Sequence, residues 1–150
     1  MRTIKNILVP VDVMEDADFV AEYVRLFAEK LEAKVTLLYA RPPLDRFFDT
    51  YLTDDVVSQL QEDSKQRALK EMKNLVAEHL EGLDVHVELT RGQPQEVILK
   101  KAQKGDFDLI IMGTHCRSGV DRIMFGSVAN KVVKQADIPV LTIHPDHCKE

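Results

Sequence analysis

The stretch GTHCRSGVDRIMFGS, Gly113 to Ser127, carries residue types that hold anions through the main chain. Gly113 ends the apolar run FDLIIM, and Gly126 stands directly ahead of Ser127 and a helical pattern. A glycine at 113 lets the chain turn sharply after a strand, and one at 126 lets backbone come close to a ligand. Unpaired amides and the helix dipole at Ser127 attract negative charge, and the serine hydroxyl adds a donor. Together they describe a phosphate cradle that needs no lysine. A glycine-rich connecting turn without a ligand has the same composition, so the pattern alone leaves both readings open.

Other chemistry is thinner. GxxxxGK[ST] does not occur, and the turn after the first apolar run, VPVDVMEDAD, has no glycine, which argues against a dinucleotide fingerprint. Asp12, Glu15 and Asp16 form an acidic group such as a phosphoacceptor domain carries. The matching aspartate is missing from the third strand, which ends LTRGQP, and Glu15 and Asp16 serve as helix-start charges. GxSxG is absent. Cys116 lies near Arg117 and a helix start, surroundings that lower a thiol pKa, but a passive small residue is the simpler reading. His144, His147 and Cys148 lack metal-site spacing and read as solvated tail residues. His115 faces the cradle, as a phosphate or ribose contact or as a plain loop contact.

The elements that must position these groups alternate. IKNILVPV, AKVTLLYA, DVHVELT, FDLIIM and PVLTIH read as strands. Ala17, Val20, Ala21, Val24, Phe27, Ala28 and Leu31 mark one helical face. A long helix is predicted over Asp54–Glu81, with Val57, Leu60, Ala68, Met72, Leu75, Val76 and Leu80 toward the core and Gly82 as its stop. Pro94 opens a helix to about Lys104, and Ser127–Gln135 starts the last. Strands alternating with helices predict a mostly parallel sheet covered on both faces, a single three-layer α/β domain over 1–150 with a polar tail at 145–150. The connection at 41–53 is long, and its aromatics Phe47, Phe48 and Tyr51 are expected to pack on the neighbouring helix rather than to form a lid or interface.

Composition narrows the partners. The 150 residues are 45% hydrophobic and 30% charged with a net charge of −5, and no basic block marks a nucleic-acid or membrane surface. No apolar run reaches the roughly 20 residues of a membrane span, and MRTIKNILVPVD reads as a strand rather than an export signal. The 2 cysteines make no disulfide framework and fit a reducing cytoplasm.

ILVPVD, LLYA and above all DLIIMGTHCRSGVDRIMFGSVANKVVKQADIPVLTI resemble the universal stress protein family, from Ile4 to about His144. The resemblance implies a Rossmann-like sandwich whose five parallel strands run in the order 3-2-1-4-5, setting Asp12 and the Gly113 loop in one crevice. Many members bind ATP there through glycine, two residues, glycine, nine residues, glycine and serine or threonine. Gly113, Gly126 and Ser127 match, and Cys116 stands at the middle glycine. By the same resemblance Pro10, Val11 and Asp12 border the nucleoside, with Asp12 on ribose hydroxyls or a metal, and Ala40 and Met112 flank adenine. Gly113 admits ribose, while Gly126, Ser127 and Val128 meet phosphates. If the middle glycine is left-handed, Cys116 costs about 1–2 kcal/mol, weakening affinity about ten- to thirtyfold. If it leaves room, the thiol blocks a γ-phosphate and spares AMP or ADP, with Arg117 compensating.

The resulting expectation is a cytoplasmic stress-response protein that binds ATP, or AMP or ADP, with Mg²⁺, and pairs as a homodimer through residues 140–144. The alternative is a nucleotide-free dimerisation module of the same fold. A true ATPase is least supported, since no general base or arginine finger can be named and any hydrolysis would be slow.

Overall fold

A computed structural model describes residues 3–13, 15, 17–43, 51–114 and 126–145 of the chain. Its elements are β1 (Asn6–Pro10), α1 (Asp18–Leu31), β2 (Lys34–Arg41), α2 (Asp54–His79), β3 (Val85–Arg91), α3 (Pro94–Lys104), β4 (Leu109–Gly113), α4 (Ser127–Gln135) and β5 (Val140–Ile143). The strands form one parallel sheet in the order β3-β2-β1-β4-β5, the order that the resemblance implies.

Alternation along the strands builds two cores. Ile7, Val9, Val35, Leu37, Leu109 and Ile111 face one side, where α1 covers them with Val20, Ala21, Val24 and Ala28, and α2 with Met72. Leu8, Leu38, Ile110 and Met112 face the other, under Ile98 and Ala102 of α3 and Ala129 and Val132 of α4. Central strands buried on both faces explain the unbroken apolar runs at β1 and β4.

Helix ends follow local chemistry. Pro94 occupies the opening of α3; α2 ends at His79 with Leu80 as its cap, two residues short of the predicted Glu81, and Gly82 takes its φ of +86° in the following turn, closed by Leu83 N–H to Leu80 O at 3.2 Å. Glu32 ends α1 with a φ of 51°, its amide bonded back to Ala28 and Glu29 carbonyls. That left-handed turn had no glycine to announce it.

Two expectations are corrected here. The core stripe predicted for α2 holds in its second half only: Ala68 and Met72 are buried, whereas Leu60 is 45% exposed. The reason is length. At 26 residues α2 runs about 39 Å, against about 26 Å for the eight residues of β2, so its first turns overshoot the sheet. Tyr51, expected to pack on the helix, is 74% exposed. Phe47 and Phe48 lie outside the described residues, as do Asp16, His115, Cys116, Arg117, His147 and Cys148.

Candidate functional site

At its carboxyl end the sheet opens between the two strands where its order reverses. β1 stays paired with β2 through Pro10↔Leu38, and Val11 N–H then donates to Leu38 O at 2.9 Å. Its ladder with β4 stops early, at Ile7↔Leu109 and Leu8↔Ile110. β4 instead remains paired outward, Met112↔Thr142 and Gly113↔Ile143. Past Leu8 and Ile110, residues Pro10–Asp12 and Met112–Thr114 thus form the two walls of a crevice at the topological switch point, where open α/β sheets take ligands.

Most of the expected site residues meet there. Alternation puts Pro10, Ala40 and Met112 on the α3–α4 face, and Val128 packs against the core of that face. Because α4 runs back from the end of β4 to the start of β5, its amino end lies at the same edge of the sheet. Gly126 caps it with φ −57° and ψ 160°, conformations open to any residue, and its carbonyl accepts the first helical bond from Asn130 N–H at 3.0 Å. The amides of Ser127, Val128 and Ala129 precede that bond, the N-cap Gly126 has no side chain to cap them, and the Ser127 side chain is exposed. These are the groups that give a helix start its affinity for anions.

Gly113 is used differently from what the sequence suggested. It is the last residue of β4, paired with Ile143, and its backbone is not left-handed. A Cβ there would lie 2.9 Å from Val20 Cγ2 and 3.1 Å from Phe19 Cζ. The missing side chain makes room for the first turn of α1, and no sharp turn occurs at this position.

Asp12 borders a second cleft, on the α1–α2 face, of about 310 Å³. Glu15, Asp18, Glu71 and Glu78 share its lining, over Met72 and Leu75. Asp12 and Glu15 are tied by a turn, Glu15 N–H to Asp12 O at 3.1 Å. Asp18 pairs with His79 Nε2 at 3.2 Å. Tyr39 stands close by: burial pushes its phenol above the ordinary value, the Asp12 carboxylate adds to that, and the Arg41 guanidinium opposes both. Among the described residues no three His, Cys, Asp or Glu side chains converge to hold a metal ion. Of His144, His147 and Cys148, read from the sequence as solvated tail residues, only His144 is described, and it departs from that reading: it is half-buried, with Nδ1 2.5 Å from Thr114 Oγ1.

Sequence reading missed Thr114. Among the described residues it is the polar side chain that is buried, at 3% exposure. A hydroxyl directly after a fully apolar strand was the available signal, since a buried hydroxyl must find partners.

Comparison with known proteins places the chain. The profile of the universal stress protein family matches residues 3–144. The chain is similar to universal stress protein MJ0531 of Methanocaldococcus jannaschii, 32% identical over 93% of this chain and 81% of that protein. The solved structure of hypothetical protein MJ0577 superposes with a TM-score of 0.79 at 28% identity, over 97% of this chain and 99% of that one. The universal stress protein of Archaeoglobus fulgidus in complex with dAMP shares the fold, with a TM-score of 0.59 at 22% identity, over 95% of this chain and 99% of that one. This chain belongs to the universal stress protein family.

Proposed function

We propose that this protein binds an adenine nucleotide, ATP or its shorter relatives ADP and AMP, in the β1–β4 crevice and acts in the cytoplasm as a sensor or regulatory dimer. The observation that carries this reading is the early end of the β1–β4 ladder beside the amino end of α4. Pro10, Ala40 and Met112 supply apolar walls for the base, the Val11 backbone borders the nucleoside, Asp12 offers an acceptor for ribose hydroxyls, and the amides at Gly126, Ser127 and Val128 are donors for phosphate. His115, Cys116 and Arg117 complete the set by their place in the sequence. The dAMP complex of the Archaeoglobus fulgidus protein supports the choice of adenine nucleotide for this fold. Mg²⁺ would arrive with the phosphates of a triphosphate, and Asp12, which borders the crevice, would share the ion. Cys116 at the middle glycine favours AMP and ADP over ATP, and in the limit favours the second reading, a dimerisation module without nucleotide.

The two edges of the sheet support pairing through residues 140–144. β3 carries the half-buried Glu88, paired with Lys101 at 2.6 Å, a charge that discourages a further strand. β5, Val-Leu-Thr-Ile, has none. Ile110 N–H donates to Pro139 O and Thr114 N–H to Ile143 O. The intervening groups of Val140 and Thr142 therefore point away from β4, ready for a partner strand.

Two measurements test the reading. The purified protein is denatured and assayed for released nucleotide, then titrated with ATP, ADP and AMP beside Gly126→Ala. Since alanine accepts the Gly126 backbone, the variant should fold normally and lose affinity by at least about tenfold through crowding of the phosphate. Silence of the wild type toward all three removes the nucleotide reading, and unaltered affinity in the variant would move the phosphates away from Gly126. For the dimer, Thr142→Pro deletes an outward N–H while sparing the β4 ladder. A monomer by light scattering is expected, and an unchanged dimer would place the interface elsewhere.

A further inference from the structure

The β4 wall of the crevice has lost its inner neighbour. Beyond Ile110 the ladder to β1 is over, and Met112 and Gly113 are held within the sheet by β5 alone. Immediately after them Thr114 closes the strand with three contacts. Its N–H donates to Ile143 O at 2.9 Å, its hydroxyl donates to the same carbonyl with Oγ1 3.3 Å from the carbonyl oxygen, and Oγ1 lies 2.5 Å from His144 Nδ1. A hydroxyl has one proton. With that proton on Ile143 O, Oγ1 accepts from His144, which requires the proton of the neutral imidazole to be on Nδ1.

We propose that Thr114 is a positioning residue: its buried hydroxyl, relayed to Ile143 and His144, fixes the free end of β4 and so sets Met112 and Gly113 for the nucleotide. The proposal rests on the nucleotide reading above and adds a coupling that the reading does not require. The edge strand and the crevice wall become one body, so whatever moves β5 moves the wall. A buried threonine serving only as filler would be equally well replaced by valine, which has the same shape without the hydroxyl.

The test compares Thr114→Val, Thr114→Ser and His144→Phe with wild type. Nucleotide affinity, AMP being the probe, should fall about five- to tenfold in Thr114→Val and in His144→Phe, the loss of one or two hydrogen bonds. Thr114→Ser should bind within about twofold of wild type. In nucleotide-free protein, ¹⁵N spectra should show the neutral His144 ring protonated on Nδ1, a preference that disappears in Thr114→Val and returns in Thr114→Ser. His144→Phe leaves Thr114 untouched and keeps the test alive should Thr114→Val fold poorly. Wild-type affinity in Thr114→Val, a serine variant no better than valine, or an Nε2-protonated ring would each overturn the proposal. If wild type binds none of ATP, ADP and AMP, the nucleotide reading fails, and the ring tautomer alone decides whether the joint exists.

Discussion

Two clefts open at the carboxyl edge of the sheet, and Val11 and Asp12 border both. On the α1–α2 side the lining is acidic: Asp12, Glu15, Asp18, Glu71 and Glu78 crowd about 310 Å³ over an apolar floor. On the α3–α4 side the crevice is apolar below, with Pro10, Ala40 and Met112, and ends at the amino terminus of a helix. Like charges repel a phosphate from the first, whereas the helix amides attract it to the second. An anion is placed by the sign of what surrounds it, so the acidic cleft is the poorer place for a phosphate. Both clefts are products of the same strand, β1, whose ladder runs to its end on the β2 side and stops short on the β4 side.

The largest expected effect sets one charge against another across this divide. Ser127→Asp puts a carboxylate at the first turn of α4, where it suits the helix dipole and should leave stability intact or improved. Facing a bound phosphate, the same carboxylate should cost about a hundredfold or more in nucleotide affinity. Glu71→Gln removes an exposed charge from the other cleft and should change affinity by less than about twofold at moderate salt. Isothermal titration of both variants reads the difference. A greater response to Glu71→Gln than to Ser127→Asp would move the ligand to the acidic side.

A middle-sized effect concerns Gly113. Because a Cβ would meet Val20 Cγ2 at 2.9 Å, Gly113→Ala should cost about 1–3 kcal/mol of stability through overpacking. In a Val20→Ala background the cost should shrink, giving a coupling of about 1 kcal/mol in a double-mutant cycle of denaturant melts. If instead Gly113→Ala melts like wild type and loses only nucleotide affinity, the glycine serves the ligand and not α1.

Gly113 also shows where sequence reading reached its limit. The glycine's place at the end of the fourth strand was legible from FDLIIM, as were the helix starts at Pro94 and Ser127, because periodicity and caps are local signals; the strand order came only with the resemblance to the universal stress protein family. What demands the glycine is α1, about 95 residues earlier in the chain, and no local pattern encodes that contact. The same holds for Thr114, whose partners Ile143 and His144 lie about 30 residues on. The overshoot of α2 escaped for a related reason: Leu60 has the right spacing for a core stripe, but spacing does not reveal that the sheet beneath has already ended. Glu32 is a local miss, a left-handed helix end made by a residue that usually avoids it. Of the site residues assigned by motif, Pro10, Val11, Asp12, Ala40, Met112, Gly113, Gly126, Ser127 and Val128 lie at the carboxyl edge of the sheet, and His115, Cys116 and Arg117 lie beyond the described residues.

The smallest expected effect uses Asp12 to read both clefts at once. Burial and the Asp12 carboxylate both raise the Tyr39 phenol above its ordinary value, against Arg41. The folded state therefore holds that proton more tightly than the unfolded chain, so the stabilisation is complete below the ordinary tyrosine value of about 10 and is lost as pH climbs through the folded value. Asp12→Asn removes one of the two raising influences. Phenolate absorbance should then appear at lower pH than in wild type, and the alkaline loss of stability should become shallower. The same substitution weakens the acceptor offered to ribose hydroxyls, and nucleotide affinity should fall about threefold to tenfold. A shift of Tyr39 with full affinity would assign Asp12 to the acidic cleft alone. Loss of affinity with an unmoved phenol would mean that the carboxylate has turned to the crevice, away from Tyr39.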